Sequence, residues 1–245
     1  MGHALKRRWV VAAMGVVVVT GCSSAKDVDA TKSDIRGSSP TASAPVQRTV
    51  AELVIAMKER AAAHDSVVVS ADTSEAGESS QSYRLASNYP EPLTEVNLAL
   101  SQGESGLQLI IVDGKAYFHD STQAGNPARW SAVTTQAALG ILQGLTPSGI
   151  FDRLEMAKSI APKGFDRMGA DQVAVYTLVL DTRALAKLSE WKEAELPPEV
   201  TMEVRVSPEG DLRKATIQID DVLAESEYLW GIDTGAVAPP AEYID

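Results

Sequence analysis

The segment from Thr94 to His119 restricts the fold of this chain more than any other stretch. Apolar and polar residues alternate from Thr94 to Leu100, an aliphatic run follows from Leu107 to Val112, and Lys115 to His119 comes directly after the dipeptide Asp113-Gly114. An Asp-Gly pair between two such runs is typical of a β-hairpin, because both residues tolerate the positive φ angles of the turn. The segment is therefore predicted to form an antiparallel meander.

A second meander is predicted near the C-terminus, from four runs rich in β-branched and aliphatic residues. These runs are Gln172–Leu180, Val200–Val206, Leu212–Ile219 and Tyr228–Ile232. Two further strands are expected earlier in the chain, one over 66–72 and a short edge strand over 83–86.

Helices separate these groups of strands. Thr49 and Glu52 have the spacing of a capping box, and Pro147 follows Thr146 as a proline follows an N-cap. With the helical spacing of apolar residues, these signals predict helices over 50–63, 134–145, 147–160 and 183–191. The order of helix, strands, helices and strands predicts an α+β fold with one antiparallel sheet.

Two of the predicted strands have apolar residues on both faces. Consecutive residues are apolar over much of 107–112 and 173–180, whereas a sheet with one face in water alternates apolar with polar residues. The helices can cover only one face. Two explanations remain open: a curved sheet that buries its own interior, or a cavity between sheet and helices that binds an apolar ligand.

The N-terminus has the layout of an export signal. Three basic residues, Lys6 to Arg8, precede an apolar run from Trp9 to Val19 that is too short to span a bilayer as a mature helix. The only cysteine, Cys22, follows Gly21 in the pattern of a bacterial lipobox. We therefore expect residues 1–21 to be a signal peptide and Cys22 to become the acylated N-terminus; an ordinary secretory signal with an incidental cysteine is the alternative.

Composition then separates a tether from a folded domain. Residues 22–48 are rich in Ser, Ala, Asp, Thr and Pro, as in a flexible linker, so the folded domain is predicted to span 49–245. The net charge is −11, and it becomes −14 without the signal because residues 1–21 contain three basic residues and no acidic residue. This charge disfavours binding to nucleic acid. The expected location is the extracytoplasmic face of the cell membrane, with attachment through acyl chains.

No catalytic motif stands out. Ser105 lies in Gly-Glu-Ser-Gly, where glycine and serine serve a hairpin turn. Two acidic pairs are expected to be solvated surface, since neither has the flanking residues of a metal loop or of a glycosidase site. These pairs are Asp152 with Glu155 and Asp220 with Asp221. The sequence thus predicts neither an enzyme nor a metal or cofactor site.

Several short motifs resemble a family of actinobacterial lipid-carrier lipoproteins, those of the LppX and LprG kind, which are similar in fold to the carrier LolA. The motifs occur in the same order along 49–245: Leu145–Phe151 with Leu154, Gly169–Val179, Leu196–Val200, Gly210–Ala215, and Leu229–Gly231 followed by Ala238–Pro240. The resemblance implies a strongly curved antiparallel sheet, or half-barrel, that helices close over a hydrophobic cavity.

The resemblance also implies a function, the transport of a lipid or an acylated glycolipid across the cell envelope, with a membrane transporter as a further candidate partner. A tethered interaction module with a filled core, docking on an envelope protein, is the alternative. The candidate lining residues come from one face of the central strands and from the helices: Val96, Leu98, Leu109, Ile111, Leu142, Ile150, Leu154, Val175 and Val179.

Overall fold

The computed structural model describes residues 45–103, 105–120, 130–142, 144–188 and 196–244. The predicted signal peptide (1–21), the lipidation site Cys22 and residues 23–44 of the tether lie outside this part of the chain. Residues 45–48, also assigned to the tether, are described, and the Tyr176 hydroxyl donates a hydrogen bond to the Val46 carbonyl at 3.2 Å. The end of the tether therefore contacts the domain.

Four helices and twelve strands make up the described structure. The helices are α1 (Val50–Ala61), α2 (Thr135–Leu142), α3 (Pro147–Glu155) and α4 (Thr182–Leu188). The first six strands are β1 (Ser66–Glu75), β2 (Glu78–Asn88), β3 (Val96–Gln102), β4 (Ser105–Val112), β5 (Lys115–Asp120) and β6 (Trp130–Val133). The others are β7 (Ala157–Met168), β8 (Asp171–Leu180), β9 (Val200–Val206), β10 (Leu212–Ile219), β11 (Val222–Trp230) and β12 (Tyr243–Ile244).

All twelve strands belong to one sheet, in the order β12-β6-β5-β4-β3-β2-β1-β11-β10-β9-β8-β7. Neighbouring strands are antiparallel, except that β12 runs parallel to β6. The two predicted meanders are joined through β1, which pairs with β2 on one side and with β11 on the other. Asp113 and Gly114 form the predicted turn between β4 and β5, both with positive φ.

The sheet is curved and open. Twelve strands laid flat at about 4.8 Å spacing would extend over roughly 50 Å. Yet side chains from β3 to β5 and from β8 to β10 join α1, α2 and α3 in one hydrophobic core. β12 and β7 end the sheet and do not pair with each other. The sheet thus has an inner face, defined here as the face that the helices cover, and an outer face.

The helices lie across this inner face. α2 contacts β4 and β5, α3 contacts β8, and α1 contacts both α3 and β7. α1 begins with the predicted capping box, in which Thr49 Oγ1 accepts from the Glu52 amide at 3.2 Å and the Thr49 amide donates to Glu52 Oε2 at 2.7 Å. Thr146 and Pro147 begin α3 as predicted, although the Thr146 side chain makes no capping hydrogen bond.

The C-terminal end of α1 is fixed to β10 and β11 by a polar contact. Asp211 Oδ1 lies 3.0 Å from Arg60 Nε and 2.8 Å from His64 Nε2. The His64 ring stacks on Trp230 with centroids 5.6 Å apart, and Trp230 Nε1 donates to the Leu212 carbonyl at 2.7 Å. These contacts hold one end of the helical layer on the sheet.

Some predicted elements were wrong in extent or kind. The expected short edge strand over 83–86 is the eleven-residue β2, an interior strand between β1 and β3. The helix predicted over 147–160 ends at Glu155, and β7 begins at Ala157. β7 contains Pro162 and a bulge near Gly164, which an edge strand tolerates because one side of its backbone needs no partner. β6 was not predicted at all.

The turn between α2 and α3 is closely packed, and this gives a prediction about stability. A Cβ atom at Gly149 would lie 2.6 Å from the Gly144 Cα, whereas a Cβ at Gly140 would meet nothing within 4 Å. Gly149→Ala should lower the free energy of unfolding by about 1–3 kcal/mol through overpacking. Gly140→Ala, also within a helix, should raise it by about 0.5–1 kcal/mol.

Urea unfolding of both variants beside the parent protein measures this difference. Equal stability of Gly149→Ala and Gly140→Ala would show that the α2–α3 turn is not packed as described.

Candidate functional site

The inner face of the sheet is a continuous apolar surface. Val69, Leu85, Leu98, Leu109 and Phe118 are successive cross-strand partners from β1 to β5. The first four are fully buried, and Phe118 is partly buried against the same core. We call β1 to β5 one arm of the sheet and β8 to β11 the other. A comparable row crosses the second arm, from Leu178 through Met202 and Ile217 to Ala224. Both arms therefore present apolar side chains to the helices between them.

The structure brings most of the predicted lining residues together and separates two from them. Those on β3, β4, α2 and α3 belong to the single core inside the sheet: Val96, Leu98, Leu109, Ile111, Leu142, Ile150 and Leu154. Val175 and Val179 do not, because their cross-strand partners on β9 are Arg205 and Thr201, on the outer face. On β8 the inner face is formed instead by Tyr176, Leu178 and Leu180.

A mainly apolar pocket of about 450 Å³ opens at one end of the helical layer. On one side it is lined by the loop before β3, with Leu93 buried there. On the other side it is lined by α2, the α2–α3 turn and α3, including Leu139, Gly140, Leu142, Thr146 and Ser148. Leu139 is 42% exposed and Leu142 is 1% exposed, so the pocket connects solvent to the core.

A second pocket, of about 470 Å³, lies on the outer face and is different in chemistry. It is lined by charged residues that already form ion pairs: Arg205 with Asp166 at 3.0 Å, Arg213 with Asp171 at 3.1 Å, and Lys214 with Glu227 at 3.5 Å. Because three of its cations already pair with neighbouring acids, this pocket is the weaker candidate for a ligand site.

The sequence analysis missed a buried polar group inside the core. Arg153 on α3 is 2% exposed, and only its Nη2 has a hydrogen-bond acceptor in the described structure, the Gly144 carbonyl at 3.3 Å. Burial lowers the pKa of Arg153 and raises the pKa of Tyr83 to about 12. Helical spacing offered a signal, because Arg153 follows the buried Ile150 by three residues.

The residues considered for catalysis lie on three different parts of the fold: β4, α3 and the turn between β10 and β11. Ser105 begins β4 opposite Gln102, and Glu155 pairs with Lys58 at 2.6 Å. Asp152 is exposed at the rim of the apolar pocket, while Asp220 and Asp221 form the turn between β10 and β11. In the described ranges no three His, Cys, Asp or Glu residues are grouped as metal ligands.

None of the helices in the described part of the chain has both the length and the hydropathy needed to cross a bilayer. Sequence comparison finds no matching family model and no matching curated protein.

Structural comparison does find similar folds. The chain superposes on the lipoprotein LppX of Mycobacterium tuberculosis with a TM-score of 0.53 and 12% identity, over 77% of this chain and 98% of LppX. It superposes on LprF of Mycobacterium bovis with a TM-score of 0.54 and 9% identity, over 78% of this chain and 97% of LprF. The resemblance in fold that the sequence motifs indicated is therefore confirmed.

The buried phenol of Tyr83 predicts a loss of stability in alkali. Its pKa is about 12 in the folded protein, mainly because of burial, against 10.0 for a free phenol. The neutral form is thus favoured by folding, and this contribution is complete below pH 10 and is lost as the pH rises to 12. The loss should be on the order of 2 kcal/mol, since each pKa unit corresponds to about 1.4 kcal/mol.

In the Tyr83→Phe variant the side chain at position 83 cannot ionise. The free energy of unfolding of this variant should therefore fall less than that of the parent protein between pH 10 and pH 12. Urea unfolding at intervals across this range compares the two. Parallel declines would contradict a buried, neutral Tyr83.

Proposed function

We propose that this protein is a non-catalytic lipid carrier, which holds acyl chains of a lipid or glycolipid between the inner face of its sheet and its helices. The observation that carries the proposal is the apolar pocket of about 450 Å³ at the α2–α3 end of the helical layer. Its volume is in the range of small-molecule sites, which are mainly apolar clefts with few polar groups. It adjoins the only large apolar core of the described structure.

An acyl chain fits this site by chemistry. Each methylene group transferred from water to an apolar site contributes about 0.8 kcal/mol, so a long chain needs little polar recognition. Leu142 lies both at the pocket and in the core, and Ile150 and Leu154 continue the apolar surface along α3. We propose that a chain enters beside Leu139 and displaces helix contacts to reach Val96, Leu98, Leu109 and Ile111.

The similarity to LppX and LprF supports this proposal only through the shared fold. A curved sheet with a helical layer on one face can open between the two, because the helices contact the sheet through side chains and not through backbone hydrogen bonds. α1 and α3 also contact each other. Movement of the helices can therefore enlarge the pocket without breaking the pairing of the strands.

Attachment to the membrane completes the proposal. Cleavage after residue 21 and acylation of Cys22 would hold the domain at the extracytoplasmic face of the cell membrane. The tether would let the pocket reach lipids without electrostatic help, which suits a net charge of −14 once residues 1–21 are removed. A membrane transporter is the proposed source or acceptor of the cargo.

Filling the pocket tests the carrier function. Gly140 lines the pocket and has no neighbour within 4 Å of an added Cβ, so Gly140→Phe should place a ring there without disturbing α2. The affinity for a fluorescent long-chain fatty acid should fall about tenfold or more, because excluding about two methylene groups has that effect.

Ala51→Phe is the matched control, since Ala51 is an exposed helical position on α1 outside the pocket. It should bind the probe as the parent protein does. Equal affinities for all three proteins would contradict a lipid site in this pocket. A protein that carries no lipid on gentle extraction, but retains a membrane protein, would favour the alternative of an interaction module.

The anchor has a separate test. Cys22→Ala should release the protein from the membrane or leave it unprocessed, because no acyl chain can be attached. Fractionation of cells that express the variant measures this, with the parent protein as the membrane-bound control. Continued tight membrane retention of a cleaved variant would contradict anchoring through Cys22.

A further inference from the structure

Arg153 is a buried cation without a buried anion. It projects from α3, whose other buried residues are apolar, and it is 2% exposed. Its Nη2 donates to the Gly144 carbonyl, while Nε and Nη1 have no hydrogen-bond partner in the part of the chain that the structure describes. The nearest acid in sequence, Asp152, is exposed, and no ion pair between the two is found there.

Three other arginines in the described structure do have carboxylate partners: Arg60, Arg205 and Arg213. Arg60 lies 3.0 Å from Asp211, and Arg213 lies 3.1 Å from Asp171, although these side chains are partly in water. Arg153 is more buried than either, so leaving its charge without a counter-charge costs more free energy. A charge taken out of water without a partner is costly, and buried charges in proteins are normally paired.

The polar groups near Arg153 are neutral hydroxyls and a backbone carbonyl. Tyr83 and Tyr228 are both buried on the inner face, and the charge of Arg153 affects the pKa of each phenol. Burial raises both pKa values, so both hydroxyls stay protonated and can donate. Ser226 is buried on the same strand as Tyr228, and its side chain opposes part of the rise in both pKa values.

This polar cluster also lies next to the pocket. Gly144, whose carbonyl accepts from Arg153, and Asp152 both line the pocket. The Tyr83 hydroxyl donates to the carbonyl of Leu145, in the same α2–α3 turn, at 3.5 Å. The α2–α3 turn therefore borders both the pocket and the polar cluster.

We propose that Arg153, with the hydroxyls of Tyr83 and Tyr228, binds the oxyanion of an acidic lipid, a carboxylate or a phosphate, inside the sheet. The inference rests on the proposed lipid-carrier function and adds its ligand class. Arg153 supplies charge and two donor atoms that have no partner in the described structure, Nε and Nη1. The Tyr228 hydroxyl supplies a further hydrogen bond, as does the Tyr83 hydroxyl in exchange for its 3.5 Å bond to the Leu145 carbonyl. The core beside them takes the acyl chain. The site therefore selects acidic lipids over neutral ones of the same chain length.

Three probes with the same chain test this selection on the purified exported protein: hexadecanoate, hexadecyl phosphate and hexadecanol. The parent protein should bind the two acidic probes about ten- to a hundredfold more tightly than the alcohol, as charge-assisted hydrogen bonds predict. In Arg153→Met this preference should disappear, while the affinity for hexadecanol changes less than about twofold. Arg84→Met, at an exposed position of β2, is the control and should keep the preference.

The outcomes distinguish the two proposals. Tight binding of all three probes without preference would overturn the oxyanion site and leave the lipid carrier intact. An equal loss for all three in Arg153→Met would show that Arg153 only supports the fold, and would also overturn it. Binding of none of them would remove both proposals. Competition by inorganic phosphate as strong as that by hexadecyl phosphate would indicate a free anion as the ligand and overturn a lipid head group.

If Arg153→Met does not fold, the variants Tyr228→Phe and Tyr83→Phe test the oxyanion site instead. Each removes one hydroxyl and keeps the ring, and each should weaken the acidic probes about three- to tenfold with little effect on hexadecanol. An unchanged preference in both variants would contradict the site.

Discussion

The structure depends on covering the apolar inner face of one long, open sheet. That face extends over both arms, from Phe118 on β5 to Leu178 on β8, and the sheet does not close on itself to bury it. The helices α1, α2 and α3 provide most of the cover, and α4 adds Leu185 to the same core. The contact between Asp211, Arg60 and His64 fixes the end of α1 to the sheet, whereas α2 and α3 meet the loop before β3 across a pocket. The cover is therefore firm at one end and open at the other.

Basic side chains have carboxylate partners on the outer face of the sheet, whereas Arg153 on the inner side has none in the described structure. On the outer face, the partly buried Arg205 and Lys214 pair with acidic neighbours, so each of these two cations has a carboxylate. Inside, Arg153 is nearly alone with neutral phenols and one carbonyl. A fold selected only for stability would place an apolar residue there, since such replacements are often stabilising. The proposed oxyanion site would give the buried Arg153 its counter-charge.

The turn between α2 and α3 joins these features. Gly144 has a φ of +88°, which favours glycine, and Gly149 packs against it too closely for a side chain. The same turn lines the pocket and accepts the hydrogen bond of Arg153. The one hydrogen bond that Arg153 makes in the described structure therefore ends on a residue that also lines the pocket.

The sequence alone determined the local elements whose signals are short-range: the Asp113-Gly114 hairpin, the capping box at Thr49, and the proline at the start of α3. It also indicated the family of folds. Only the tertiary structure decided what depends on distant partners. β2 is a polar, Ser-rich segment that becomes an interior strand because β1 and β3 pair with it, and Val175 faces outward because the register of β8 against β9 places Leu178 inside. Alternation predicts that two faces exist, but it cannot say which one the helices cover, and that choice is made by packing across the whole sheet.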